Sequence, residues 1–336
     1  MDQGNTAFVL ICAALVLLMT PGLAFFYGGM VKAKSVVSMM MLSFGSLGLI
    51  AVLWVLYGYA ISFANGGTDT FVGIDGWFGI DTSFIGLSAQ VADAADPAGA
   101  FPSMAFVAFQ ATFAIITVAL ISGAIADRAK FGAWMVFAGL WATIVYFPVA
   151  NWVFNFTLED GKVVDGGWIV YGLGVIDFAG GTAVHINAGA AGLALAIVLG
   201  KRFGFSKGIT QPHNVPLTLL GVSLLWFGWF GFNAGSAVGA GALAVSAFAT
   251  THVAAASAGL SWVLFDVTRG RKVSALGFSI GAVVGLVAIT PASGFVSVPA
   301  AIFIGTVSAI VSNIAAHWRA NSKLDDTLDV FPCHGT

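Results

Sequence analysis

Charge is what this sequence lacks most. Of 336 residues only 8% are Asp, Glu, Lys or Arg, against roughly 25% in a soluble domain. So few charges cannot cover a water-facing surface of this size, which excludes a soluble enzyme and a disordered chain. Basic excess is also absent: the net charge is −2, so a nucleic-acid-binding surface has no electrostatic support. Cysteine is nearly absent. Cys12 and Cys333 are too few for a disulfide framework or a thiolate metal site. No phosphate loop, metal-ligand cluster or nucleophile–base frame is present, so neither a catalytic centre nor a cofactor is expected.

Apolar residues make up 59% of the chain, 43 residues are glycine, and the mean hydropathy is +0.96. These values predict an all-α integral membrane protein whose small residues let helices pack closely. A spanning helix needs about 20 mostly apolar residues. Such runs occur at approximately 6–28, 36–63, 101–126, 132–154, 177–199, 214–235, 242–266, 274–291 and 297–318. The first basic residue is Lys32, so the opening run lacks a secretory n-region and reads as a true span.

Twelve of the 13 basic residues fall in loops of one parity: Lys32, Lys34, Arg128, Lys130, Lys201, Arg202, Lys207, Arg269, Arg271, Lys272, Arg319 and Lys323. Lys162 is the exception, and the opposite loops hold Asp69, Asp75, Asp81, Asp93, Asp96, Glu159, Asp160 and Asp165. By the positive-inside rule the N-terminus lies outside and the loops after odd-numbered spans are cytoplasmic. The longest outer loop, 64–100, carries Trp77, Phe78 and Phe84 and is expected to form an ordered extracellular cap. Residues 1–336 read as one transmembrane domain. A tenth span begins near Val330 where the sequence stops, so the chain reads as incomplete at its C-terminus.

Ionisable groups inside a span are rare because each costs at least about 2.5–3.5 kcal/mol at the helix centre. Asp177 opens the fifth span, as a helix cap or as a source of negative potential at a pore mouth. His185 lies about 12 Å deeper, among small neighbours. It is either a buried imidazole satisfied by one carbonyl or a functional group. His252 is expected to make interhelical hydrogen bonds, and His213 and His317 to lie at the interface. Phe109 and Phe113 share a face of the third span. The ring-rich run Trp226–Ser236 reads either as an interfacial belt or as a cation site.

Several segments carry a family resemblance. DFAGGTAVHINAGAAGLALAIVLGKR (177–202), TPGLAFFYGGMVKAKSVVSMM (20–40), FQATFAIITVALISGAIADRAKF (109–131), PHNVPLTLLGVSLLWFGWFGFNAGSA (212–237) and DDTLDVFPCHGT (325–336) resemble the Amt branch of the Amt/Mep/Rh ammonium transporter family. The resemblance implies inverted five-helix repeats, of which this chain holds nine complete spans and the start of a tenth. It also implies a homotrimer in the cytoplasmic (plasma) membrane, each protomer with its own ammonium/ammonia pore, and a PII-family regulator on the cytoplasmic face.

By motif, Phe109, Phe113, Phe154, Ser236 and Asp177 match the outer recruitment site, and Phe113 with Phe232 match a gate. His185 and His334 match the twin pore histidines, and Trp229 and Tyr27 match pore-lining rings. The family usually carries Trp where this chain has Phe154, and Trp152 is two residues off and should face elsewhere. A sensor module of a fused signalling protein is the alternative function implied.

Overall fold

The computed structural model describes residues 2–92, 101–159, 161–205 and 211–336. Asp93, Asp96, Asp160 and Lys207 lie outside the described residues. The apolar runs become helices with polar residues or proline at their starts. The helix α1 (Gln3–Met30) begins where the Asp2 carboxylate accepts the Asn5 N–H at 2.9 Å. It is followed by α2 (Val36–Leu53) and α3 (Tyr59–Ser62), joined by a π-turn at Trp54–Gly58 and, with the 3-10 turn at Ala33–Ser35 before them, forming one 30-residue helical segment. An outer hairpin pairs β1 (Phe71–Ile74) with β2 (Phe78–Asp81), Phe71 opposite Asp81. After α4 (Ser88–Ala92) come α5 (Ser103–Ile121), α6 (Phe131–Trp141) and α7 (Phe147–Phe154). A second outer hairpin pairs β3 (Phe156–Glu159) with β4 (Lys162–Gly166).

The remaining helices are α8 (Asn187–Leu199), preceded by a π-turn at Gly181–Ile186, then α9 (Val215–Gly235), α10 (Ala242–Thr268), α11 (Ala275–Ile289), α12 (Val298–Ala320) and the short α13 (Val330–His334). Asn214 and Ser274 cap α9 and α11 by accepting backbone N–H bonds from Leu217 and Gly277, and Pro216 and Pro299 sit in the first turns of α9 and α12, where a missing N–H leaves no gap. Outward faces are apolar, with Val198, Val245 and Phe303 exposed. This is the pattern of helices that meet protein on one side and hydrocarbon on the other.

Among the described residues eight helical segments are long and apolar enough to span a membrane. The expected span at 274–291 is shorter. Its helix has 15 residues, about 22 Å at the usual rise, and ends in a turn before Pro291. The outer cap is ordered where it is described. Thr68, Thr70 and Ser83 hydroxyls donate to the buried Asp81 carboxylate at 3.0, 2.6 and 2.7 Å. Burial works to raise this carboxyl, but the hydrogen bonds from Thr70, Ser83 and Thr68 hold it below the usual carboxylate range. Trp77 stacks on Trp168, with centroids 5.2 Å apart, and so ties the two hairpins together.

The molecule is centred on the contact of α1 with α9, the opening helices of the two halves. Glycines set this approach: a methyl at Gly221 would sit 2.2 Å from the Phe26 nitrogen. On the cytoplasmic side Arg202 pairs with Asp325 at 3.4 Å and Arg319 with Asp329 at 2.7 Å. Arg128 donates to the carbonyls of Ala124, Gly200 and Asp325. These bonds fasten the loop before α13 to the ends of α5, α8 and α12.

Gly221→Leu is expected to force α1 from α9 and cost about 1–3 kcal/mol, read as a lower thermal midpoint in detergent. Gly132→Ala, where no atom lies within 4 Å of the added methyl, should leave the midpoint unchanged or raised.

Candidate functional site

Two imidazoles meet in the interior. His185 sits on the π-turn before α8, and His334 closes α13. Their Nδ1 atoms are 3.2 Å apart and the rings lie nearly parallel, centroids 5.2 Å apart. The approach needs a helix surface without side chains: a methyl at Gly189 would fall 2.6 Å from the Gly335 nitrogen. An Nδ1–Nδ1 hydrogen bond holds one proton, so one ring donates and the other accepts. In the neutral pair the donor ring then has a lone pair on Nε2, and the acceptor ring has an Nε2–H. His185 Nε2 is buried and has no hydrogen-bond partner among the described residues, so a polar atom remains available to a guest.

Beside the pair lies a cavity of about 20 Å³, lined by Tyr27, Ile116, Trp229, Val283 and both histidines. About 10–15 Å³ is needed for one water molecule, so the space suits one guest of that size. Among the described residues no charged side chain lines it. Trp229 stacks on His185, with centroids 5.3 Å apart and 18° between planes. Its Nε1–H donates to Thr290 Oγ1 at 2.9 Å. Asn233 stands 3.3 Å from the same hydroxyl and donates to Thr251 at 2.9 Å. A buried indole N–H is thus satisfied away from the cavity, and the ring face is presented to the imidazole. The Tyr27 hydroxyl likewise turns away and donates to the Leu120 carbonyl at 3.0 Å.

Above His185 the way is shut by two rings. Phe113 and Phe232 stack with centroids 4.1 Å apart, both almost wholly buried. Phe109 meets Phe113 edge-on at 4.9 Å, and the half-buried Phe154 does so at 6.2 Å. Ser236 is half-buried at the end of α9, its hydroxyl donating to the Phe232 carbonyl at 2.9 Å. Asp177 takes the capping role: its carboxylate accepts N–H bonds from Gly180, Gly181, Thr182 and Ala183 at 2.8, 2.7, 2.7 and 3.3 Å.

The structure therefore brings Phe109, Phe113, Phe154, Phe232, Trp229, His185, His334 and Tyr27 along one path. Trp152 faces elsewhere, donating to the Trp77 carbonyl and meeting Trp168 edge-on. His252 corrects an expectation. It is exposed on α10 beside Trp226 and Phe230, and the interhelical bonds are those in which Thr251 accepts from Asn233 and Thr250 donates to the Ser293 carbonyl. His213 and His317 stay near the helix ends, bonded to the Val31 carbonyl and to Arg271. Sequence reasoning missed the Thr290–Asn233 support of Trp229. Its only signal was a polar residue immediately before Pro291.

The ammonium transporter family model matches residues 7–336. An ammonium transporter of Mycobacterium tuberculosis H37Rv is 52% identical over 341 residues, covering 99% of this chain and 71% of its own. The crystal structure of Saccharomyces cerevisiae Mep2 superposes with a TM-score of 0.87 at 35% identity, over 100% of this chain and 73% of that one. A solved structure named Sensor Amt Protein gives 0.86 at 29% identity, over 99% and 79%.

Asp177→Ala should leave four N–H groups without their acceptor. The expected loss is about 1–2 kcal/mol, seen as a lower thermal midpoint. Asp177→Asn, which keeps one acceptor oxygen, should lose less.

Proposed function

The chain belongs to the ammonium transporter family, and from that premise we propose that it moves ammonium nitrogen by capturing the cation outside and passing ammonia between His185 and His334. It is a multi-pass membrane transporter and not an enzyme. One observation carries the mechanism: two mutually bonded imidazoles stand in an apolar cavity for one small molecule, beneath stacked rings.

The outer site comprises Phe109, Phe113, Phe154 and Ser236, with Asp177 adding negative potential behind it. Ring faces attract a cation, but the apolar passage below penalises any ion that keeps its charge. Ammonium can surrender a proton, and the neutral molecule fits the cavity. There the unpartnered Nε2 of His185 offers a hydrogen bond. When the bare Nε2 of one ring takes the proton the guest gives up, the shared proton passes to the other Nδ1 and that second ring releases its own Nε2 proton. The pair stays neutral with its donor and acceptor roles exchanged, which is a relay from the outer half to the inner half. Imidazole suits this because its protonation changes near neutral pH.

Three protomers complete the assembly in this reading. The exposed His252 in the middle of α10 favours cover by a neighbouring copy, since an imidazole facing hydrocarbon is unfavourable. A PII-family regulator would meet the cytoplasmic loops that carry Lys32, Arg128, Lys201 and Arg271. Transport is favoured over sensing because a relative named as a transporter reaches 52% identity and the structure named as a sensor 29%.

In proteoliposomes, ammonium should evoke a current that methylammonium reproduces more weakly and K⁺ does not evoke. His185→Ala should abolish the current or admit K⁺. An unchanged ammonium current with K⁺ still excluded contradicts the relay. Phe154→Trp should tighten apparent ammonium affinity about threefold, as expected for about 0.5–1 kcal/mol of added cation–π attraction. An unchanged concentration dependence removes Phe154 from the capture site.

A further inference from the structure

Both pore histidines are reached by the same local device. Asp177 precedes His185 by eight residues, and Asp326 precedes His334 by eight. The helical turn bearing His185 starts at Gly180 in the left-handed region, and α13 starts at Asp329 in that region too, φ +104° and +58°. Each start lies three residues after its aspartate and five before its histidine. Neither Gly180 nor Asp329 caps its own helix with a side chain. The carboxylate three residues upstream does so in both cases. Asp326 Oδ1 accepts the Val330 N–H at 3.1 Å, and Oδ2 accepts the Phe331 N–H at 2.7 Å.

We propose that Asp326 is the positioning residue for His334, the inner counterpart of Asp177 for His185, and that the two carboxylates together set the distance between the imidazoles. The proposal rests on the twin-histidine relay. Asp326 is completely buried, which is a costly place for a carboxylate unless its oxygens are used. Both oxygens bond the first turn of a helix only five residues long, so little else orients His334 from that end. Asp329 cannot substitute, because its carboxylate is held by Arg319 at 2.7 Å. Negative charge behind the start of α13 also favours a proton arriving on the inner ring.

The surroundings of Asp326 make the device sensitive to cytoplasmic acid. Burial, then the charge of Asp329, push its carboxyl up to about 6, against the Phe331 and Val330 N–H bonds and Arg319. Arg128 faces it from the end of α5, Tyr27 from α1 and Cys333 from α13. The capping carboxylate is therefore ionised above about 6 and is lost as pH falls below it.

The test compares Asp326→Asn, which offers one acceptor oxygen where two are used, with Asp326→Glu, which keeps both. Proteoliposome currents and histidine-ring nitrogen NMR are read on the same preparations. Asp326→Asn should lower the maximal current at least about tenfold, since a small misplacement of a reacting group is expensive, with apparent outer affinity altered less than about twofold. It should also erase the signal of the shared Nδ1–Nδ1 proton. Asp326→Glu should restore both in part.

A wild-type current, or an intact shared-proton signal, in Asp326→Asn overturns the proposal. If that variant does not reach the membrane, the unmodified protein decides. The Asp326 carboxyl-carbon signal and the His334 ring signals should move together through about pH 6, the value set by its burial, and independent movement overturns the proposal. Normal transport by His185→Ala and His334→Ala would instead sink the relay and leave the capping to be judged from the spectra.

Discussion

The contact between His185 and His334 is 3.2 Å long, lies among apolar side chains and has room for one proton. That single vacancy makes the two rings inequivalent at any instant and interchangeable over time. In water the same bond would be worth little, because solvent competes for both nitrogens. Within the apolar interior no competitor is at hand, and the proton's position governs which Nε2 donates and which accepts. A guest that can hydrogen-bond in either sense is matched to such a pair.

Most of the rest of the structure keeps that contact in place. The α1–α9 seam, tight enough that Gly221 has no space for a methyl, brings the two halves together. Gly189 then lets α13 approach α8. Thr290, Asn233 and Thr251 satisfy the polar groups around Trp229, so that its face meets the imidazole without an unpaired N–H in the lumen. Arg128, Arg202 and Arg319 bind the 324–329 loop on the cytoplasmic side. The polar contacts among these answer the demand that buried polar atoms be paired, while His185 Nε2 beside the cavity is left without a partner.

Much of this was legible in the sequence. Apolar run length placed the spans to within a few residues, since hydrocarbon thickness fixes how many residues a helix must contribute. The family-like motifs placed the rings and both histidines on one path. Three features were not legible. The π-turns at Trp54, Ala142 and Gly181 are local decisions between i+4 and i+5 bonding, which hydropathy does not record. The exposure of His252 depends on the rotation of α10, and an evenly apolar helix gives no period from which to read it. Thr290 and Asn233 act through a contact between separate helices, 57 residues apart in sequence. The span at 274–291 was overestimated because its last two residues, Thr290 and Pro291, lie beyond a helix that ends at Ile289.

Size alone cannot explain discrimination here. K⁺ and ammonium have similar radii, and a rigid hole that passes one passes the other. The stacked Phe113 and Phe232 carry no polar atom with which to replace a hydration shell, so an ion meeting them must remain in the vestibule or change its charge. Only ammonium has a proton to give. In the proposed mechanism the ring stack therefore acts as a test of acidity more than of diameter, and the imidazoles below it are useful because they can receive what is given up. In that mechanism each part needs the other: without the histidines nothing below the rings receives the proton, and histidines under a wet opening would no longer distinguish an acid from a permanent ion.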